Sequence, residues 1–279
     1  MTLSAWNLTV SRGRSVIVRD VSFSSSAGTL LVVAGRNGVG KTSLLRALSG
    51  DLRPNGGSVS FGGTPLSEWK TRDLARRRSF LFQQTECRLP FTSHEIAVLG
   101  AEAAGLGGKA ARAAAAESLS VAGVSHLAAR TISSLSGGEQ QRVHWARILA
   151  QINRHAEGHL LFLDEPVSSL DIAHQHELLS RAQRLAAEGA TVIAVLHDLN
   201  LAARYATGIL LLHESSIAAI GTPETVLKPE ILSKVFGVTT RVIRNPCDAS
   251  PLVLVESEQL PASVEMHTDN ARTARQTPC

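Results

Sequence analysis

Apolar residues along this chain gather in short unbroken runs: LLVVAG at 30–35, SFLF at 79–82, HLLFL at 159–163, TVIAVL at 191–196 and GILLLH at 208–213. A strand with one wet face alternates apolar and polar residues, so continuous runs of this length predict strands covered on both faces, as in a parallel sheet under helices. Between them, KTSLLRALSG at 41–50, EQQRVHWARILAQI at 139–152 and AHQHELLSRAQRLAAEG at 173–189 carry helical spacing, and the last stops on a glycine. The alternation of the two patterns predicts an α/β fold with a mainly parallel sheet.

From about residue 92 to 134 the pattern turns alanine-rich and helical, broken at Gly105, Gly107 and Gly108. It predicts a helical insertion of about 88–134 within one folded domain of residues 1–256. Two β-like pieces, TTRVIRN and PLVLVE, close that domain, and the polar, weakly patterned residues 257–279 predict a poorly ordered tail. No internal repeat is visible. With 279 residues and 44% hydrophobic composition the chain can bury a sizeable core as a single large domain.

Charge and cysteines narrow the classes. A net charge of +4 and a pI near 9.3 come from scattered basic residues, which does not describe a nucleic-acid partner. Cys87, Cys247 and Cys279 lie far apart without metal-ligand spacing, so neither a disulfide framework nor a zinc site is expected and a reducing compartment is. The N-terminus lacks the pattern of a secretory signal. No apolar run approaches the roughly 20 residues of a membrane helix. Any membrane role is therefore expected to be played from the surface.

The first chemistry is local. Gly35-Arg36-Asn37-Gly38-Val39-Gly40-Lys41-Thr42 fits G-x-x-x-x-G-K-[ST], placed after a predicted strand and opening a predicted helix. Its glycines let backbone N–H groups approach phosphate oxygens, and the helix start adds partial positive charge. Lys41 is then a point charge for the β- and γ-phosphates of ATP, and the Thr42 hydroxyl a ligand for Mg²⁺, with Ser43 beside it as a weaker candidate. A glycine-rich turn that matches by chance is the bland alternative, and the flanking elements speak against it.

A second strand, LLFL at 160–163, ends in Asp164 and Glu165. A carboxylate at the tip of an apolar strand is costly without a cation, so Asp164 is assigned to Mg²⁺ and Glu165 to polarising the attacking water. A pair of solvated strand-end carboxylates is the alternative.

The run Leu135-Ser136-Gly137-Gly138-Glu139-Gln140-Gln141-Arg142 is one that phosphate-loop proteins in general lack, and it resembles the signature of ATP-binding cassettes of ABC transporters. In that family this helix start, here Ser136, Gly137, Gly138 and Glu139, caps the γ-phosphate of ATP held on the opposite subunit. Further elements follow in the family's order. Gln83, or its neighbour Gln84, resembles the Q-loop glutamine, which contacts nucleotide and metal; Ser168-Ser169-Leu170-Asp171 resembles the D-loop; His197 resembles the switch histidine. The resemblance implies a P-loop NTPase core with an N-terminal antiparallel β subdomain and an α-helical insertion. It also implies a homodimer that closes on two ATP molecules, with Lys41, Glu165 and His197 serving catalysis.

Two departures accompany the match. The family commonly stacks adenine on an aromatic residue near the N-terminus, whereas Val10-Ser11-Arg12-Gly13-Arg14 offers none and leaves Arg12 to stack through its guanidinium plane. A glycine usual after the late strand is replaced in His213-Glu214-Ser215-Ser216, where local strain is expected.

A separate cassette of this size resembles bacterial importer subunits, which work with two permease subunits and a periplasmic binding protein at the cytoplasmic face of the inner membrane. LPFTSHEIAVLG at 89–100, SSLDIAHQHELL at 168–179, HDLNLAARYA at 197–206 and GTPETVLKPEILSKVFGV at 221–238 are similar to importers of iron chelates, haemin and vitamin B12. HWARILAQI and DEPVSSLDIAHQ look closest to those for haemin, with ferric siderophores and cobalamin as the alternatives. His144, His155, His159, His174 and His176 read as packing or surface residues in preference to haemin ligands, and the basic stretch 69–78 as a solvated helix face in preference to a lipid contact. A soluble, non-transport ABC ATPase is the rival from another class, although such chains typically carry a long coiled-coil insertion or a second cassette. A binding module that has lost hydrolysis is disfavoured by Glu165 and His197, and a small-metabolite kinase has no use for LSGGEQQR.

Overall fold

The computed structural model describes residues 1–82, 90–152 and 156–256. The chain begins with an antiparallel pair, β1 (Leu3–Arg12) and β2 (Ser15–Ser25), then enters β3 (Leu30–Gly35) and helix α1 (Lys41–Ser49). β4 (Gly56–Phe61) returns along the other edge of β1 and carries the short β5 (Thr64–Pro65), after which α2 (Thr71–Arg77) leads into β6 (Arg78–Leu81). Three helices follow: α3 (Ser93–Ala103), α4 (Gly108–Val121) and α5 (Gly137–Ile152). Strands and helices then alternate through β7 (Leu160–Asp164), α6 (Ile172–Ala187), β8 (Thr191–Val195), α7 (Leu199–Tyr205), β9 (Gly208–His213) and β10 (Ser216–Gly221). Two short helices, α8 (Pro223–Val226) and α9 (Pro229–Phe236), precede the terminal hairpin of β11 (Thr240–Arg244) and β12 (Pro251–Val255).

The central sheet runs β10-β9-β3-β8-β7-β6, with β10 alone antiparallel. Its side chains explain the unbroken apolar runs. Leu30, Val32 and Ala34 of β3 face the core beneath α5, α6 and α7, while Leu31 and Val33 face a second core closed by α1 and the antiparallel sheet β2-β1-β4-β5. β7 divides likewise, with Leu161 and Leu163 on one side and Leu160 and Phe162 on the other. Every residue of these strands is buried, so each position needs an apolar side chain whichever way it points. The parallel core and the N-terminal antiparallel layer are both as the sequence implied.

The alanine-rich region folds as α3 and α4 packed on each other and on α5. Small residues let these backbones approach: Ala101, Ala111, Ala114 and Ala150 form their own cluster, and a Cβ at Gly100 would lie 1.9 Å from the carbonyl oxygen of Arg147. The glycine break falls between α3 and α4, where Gly105 has φ +94°. Thr92 caps α3 through a reciprocal box with Glu95. The expected tail, 257–279, lies outside the described residues, as do Cys87 and Cys279.

Candidate active site

The loops that leave β3, β7 and β8 at their carboxyl ends meet at one edge of the central sheet, the edge where open α/β sheets bind ligands. Residues 35–40 wrap between β3 and α1 with Gly35, Gly38 and Gly40 at φ +146°, +79° and +108°. Two of these glycines are also required by space. A Cβ at Gly35 would lie 2.4 Å from the Leu212 carbonyl oxygen, and one at Gly40 would lie 2.8 Å from both the carbonyl oxygen and Cγ2 of Ile17.

Lys41, only 5% exposed, folds back across this loop and donates from Nζ to the carbonyl oxygens of Gly35 and Arg36, each at 3.0 Å. Burial lowers its pKa, an effect opposed by the nearby carboxylates of Glu165 and Asp164. Asp164, 2% exposed at the tip of β7, shows the converse: burial raises its pKa, against which Thr42 offers a hydrogen bond. Thr42 Oγ1 donates to Asp164 Oδ1 at 3.2 Å, bringing the hydroxyl and the carboxylate together from two different loops. A buried carboxylate beside a hydroxyl is a pair of hard oxygen donors, and a divalent cation would relieve the cost of the buried charge. The residues therefore fit Mg²⁺.

The next residue, Glu165, takes φ +47° and its Oε1 lies 2.5 Å from His197 Nε2. Arg12, Ile17, Asn37, Gly38, Gly40, Lys41, Thr42, Ser43, Glu165 and His197 line one open cleft of about 460 Å³. Arg12 thus reaches the same cleft as the phosphate loop. Ile17 was not anticipated, because an isoleucine in a strand reads as core, and only its closeness to Gly40 reveals the role. Gln83 and Gln84 lie outside the described residues.

Ser136, Gly137, Gly138 and Glu139 do not line this cleft. They open α5 at the surface, where Glu139 Oε2 accepts from the Ser136 backbone N–H and hydroxyl, each at 2.8 Å. Those bonds hold the Glu139 carboxyl below its ordinary range. The helix start, with its glycines exposed or half-exposed, is presented outwards and available to another molecule.

The histidines separate by environment. His144 and His159 are buried and their pKa values are pushed down to about 4, chiefly by burial. His159 Nε2 sits 2.8 Å from Ser79 Oγ, which itself donates to Gln151 Oε1. His176 Nδ1 meets Tyr205 Oη at 2.7 Å, and His174 engages Asp171 and Arg142. His155 lies outside the described residues. In the basic stretch, Arg78 pairs with Asp51 at 3.2 Å and also donates to the Ser49 carbonyl.

The family model described as ABC transporter matches residues 18–168. The hemin import ATP-binding protein of Photobacterium damsela subsp. piscicida is 41% identical over 254 residues, covering 91% of this chain and 96% of the relative. Among solved structures, a metal-chelate type ABC transporter in an inward-facing conformation superposes with a TM-score of 0.75 at 25% identity, covering 92% of this chain and 97% of that one. A bacterial ABC transporter cassette solved as a dimer gives 0.70 at 25% identity, covering 79% and 98%. The chain belongs to the ABC transporter family, as one of its ATP-binding and ATP-hydrolysing cassettes.

Proposed function

We propose that this chain is the motor subunit of a bacterial haemin importer: two copies close on two ATP molecules and drive two separate permease subunits, to which a periplasmic binding protein delivers the cargo. The observation that carries the motor is the convergence of the phosphate loop, Glu165 and His197 on one cleft, with Asp164 joined to it through Thr42 and the signature residues outside its lining. A site missing its signature loop is completed by a second copy, and a similar cassette has been solved as a dimer. Among the described residues no helix is long and apolar enough to cross a membrane. By its likeness to importer ATP-binding proteins, the translocation path is assigned to permease chains and this chain to the cytoplasmic face of the inner membrane. Residues 1–256 form the cassette, with the helical insertion of about 88–134 as its contact towards the permease. Haemin is favoured because a relative 41% identical over 91% of this chain is a hemin import ATP-binding protein.

In the proposed reaction, water attacks the γ-phosphate of ATP and the β–γ bridging bond breaks to give ADP and phosphate. Backbone N–H groups of residues 35–42 hold the phosphates, and the Lys41 ammonium offsets their charge. Thr42 and Asp164, with Gln83, are the groups that hold Mg²⁺, which supplies charge neutralisation at the β- and γ-phosphates when bound. Glu165 accepts the proton of the attacking water. Through Nε2, His197 holds the Glu165 carboxylate, and the same N–H turns to the charge that develops on the γ-phosphate once ATP is bound. Arg12, at the rim of the cleft, stacks on the base. Across the dimer, Ser136 and the backbone of Gly137 and Gly138 complete the shell.

Transport into proteoliposomes tests the reading, with this chain, the permease encoded beside it, and haemin, a ferric siderophore or cobalamin presented on their binding proteins. ATP-dependent uptake of haemin alone is expected. Uptake of another cargo would keep the motor and replace haemin, whereas ATP hydrolysis indifferent to any permease would replace the transporter with a soluble ATPase.

A further inference from the structure

Outside the cleft, the start of α5 meets the loop between β7 and α6 through a dense set of polar contacts. Gln141 Nε2 donates to the Pro166 carbonyl oxygen at 3.0 Å, and a Cβ at Gly138 would lie 2.9 Å from the carbonyl oxygen of Ser169. From the other side, Gln175 Nε2 donates to the carbonyl oxygens of Val167 and Leu170 at 3.2 and 2.9 Å. One side chain spans all three pieces. Arg142 Nη1, on α5, lies 2.8 Å from His174 Nε2, and His174 Nδ1 lies 2.8 and 2.9 Å from the two carboxylate oxygens of Asp171. Asp171 also caps α6 by accepting from the His174 backbone N–H at 3.0 Å.

These contacts fix the state of the imidazole. A guanidinium only donates, so Nε2 must accept, and the single ring proton sits on Nδ1 and points at Asp171. The Asp171 carboxyl is itself held low by the hydrogen bonds from His174.

We propose that His174 is a positioning residue that ties the Ser136–Arg142 signature segment to the Ser168–Asp171 loop, so that the two surfaces offered to a second copy move as one piece. The proposal rests on the reading of this chain as a paired ATPase. That reading gives the link its use: Ser136 serves the partner's ATP while Glu165, three residues before Ser168, serves its own.

Hydrogen exchange on the nucleotide-free full chain, followed by steady-state ATPase kinetics, tests it. In His174→Ala, exchange in both 136–142 and 166–171 should rise at least about threefold. Its kcat should fall about tenfold while KM for ATP stays within about twofold, since no cleft residue is touched. His174→Gln can present an amide oxygen to Arg142 and an amide nitrogen to Asp171. It should restore exchange and kcat. Unchanged exchange in either segment of His174→Ala, or a glutamine variant no better than the alanine one, overturns the proposal. A native chain that hydrolyses no ATP would overturn the motor reading instead, and the exchange measurement, which needs no nucleotide, would still decide the link.

Discussion

Glu165 and His197 leave the ends of neighbouring strands, β7 and β8, and meet at 2.5 Å between Oε1 and Nε2. The contact depends on a backbone that a glutamate rarely adopts: φ +47° at Glu165, which costs on the order of 1–2 kcal/mol. Asp164, one residue earlier, keeps strand geometry and turns to Thr42. Two adjacent carboxylates are thus sent to different partners, one buried beside a hydroxyl and the other lining the open cleft.

The proposed division of labour predicts the phenotype of Glu165→Gln. The amide keeps the shape and cannot accept the proton, so ATP should bind normally while turnover falls by about 10²–10⁴-fold. ATP should then accumulate a closed dimer, measurable by light scattering on a sizing column. A variant that turns over at the native rate would remove Glu165 from this role.

Thr42 and Asp164 predict a dependence on Mg²⁺. Thr42→Ala leaves the loop backbone and Lys41 in place but deletes one of the oxygen donors, and the Mg²⁺ concentration for half-maximal ATPase should rise about tenfold. Asp164→Asn should raise it further, because the buried charge that a cation relieves is gone. Titration of activity with Mg²⁺ at saturating ATP reads both. Identical curves for native and variant chains would place the ion elsewhere.

The parts of this design that were legible in the sequence are those written in adjacent residues. The phosphate loop, the signature run and the Asp164–Glu165 pair are each contiguous, and the central strands announce themselves because both faces are covered. What required the fold is written across distance. Ile17 reaches the cleft only because β2 passes over Gly40. In β1 the buried set runs Leu3, Ala5, then Leu8 and Val10, a break in the two-residue period that a bulge at Trp6 and Asn7 creates, with Asn7 at φ +46°. The Arg142–His174 bond joins residues 32 apart, and neither side chain signals it alone.

The missing hairpin glycine has a measurable cost. β9 and β10 are joined by Glu214 and Ser215, with φ +46° and +68°, the two positive angles that a type I′ turn demands and that asparagine and glycine supply most readily. The turn is held from outside, since the Arg19 backbone N–H donates to the Ser215 carbonyl oxygen at 2.7 Å. Ser215→Gly keeps that bond and relieves the left-handed strain, and should stabilise the chain by about 1 kcal/mol in urea unfolding. A loss of stability would mean that the contact of Ser215 Oγ with the Val16 carbonyl, at 3.3 Å, outweighs the strain.

The two buried histidines predict how stability depends on pH. His144 and His159 titrate at about 4 in the folded chain, well below the ordinary 6.5, because burial disfavours the cation. Unfolding returns them to the ordinary value, so between these limits the unfolded chain binds more protons and stability falls as the pH is lowered. The contribution is complete above about pH 6.5 and is lost progressively towards about pH 4, at up to roughly 1.4 kcal/mol per pH unit for each group. Urea midpoints measured across that window should decline steeply on acidification. His159→Gln offers Ser79 an amide N–H in place of the ring N–H and does not titrate, so its midpoint should decline with a shallower slope, by about one proton. Equal slopes for the native chain and the variant would mean that His159 is already protonated when folded, contrary to its burial against Ser79 and Gln151.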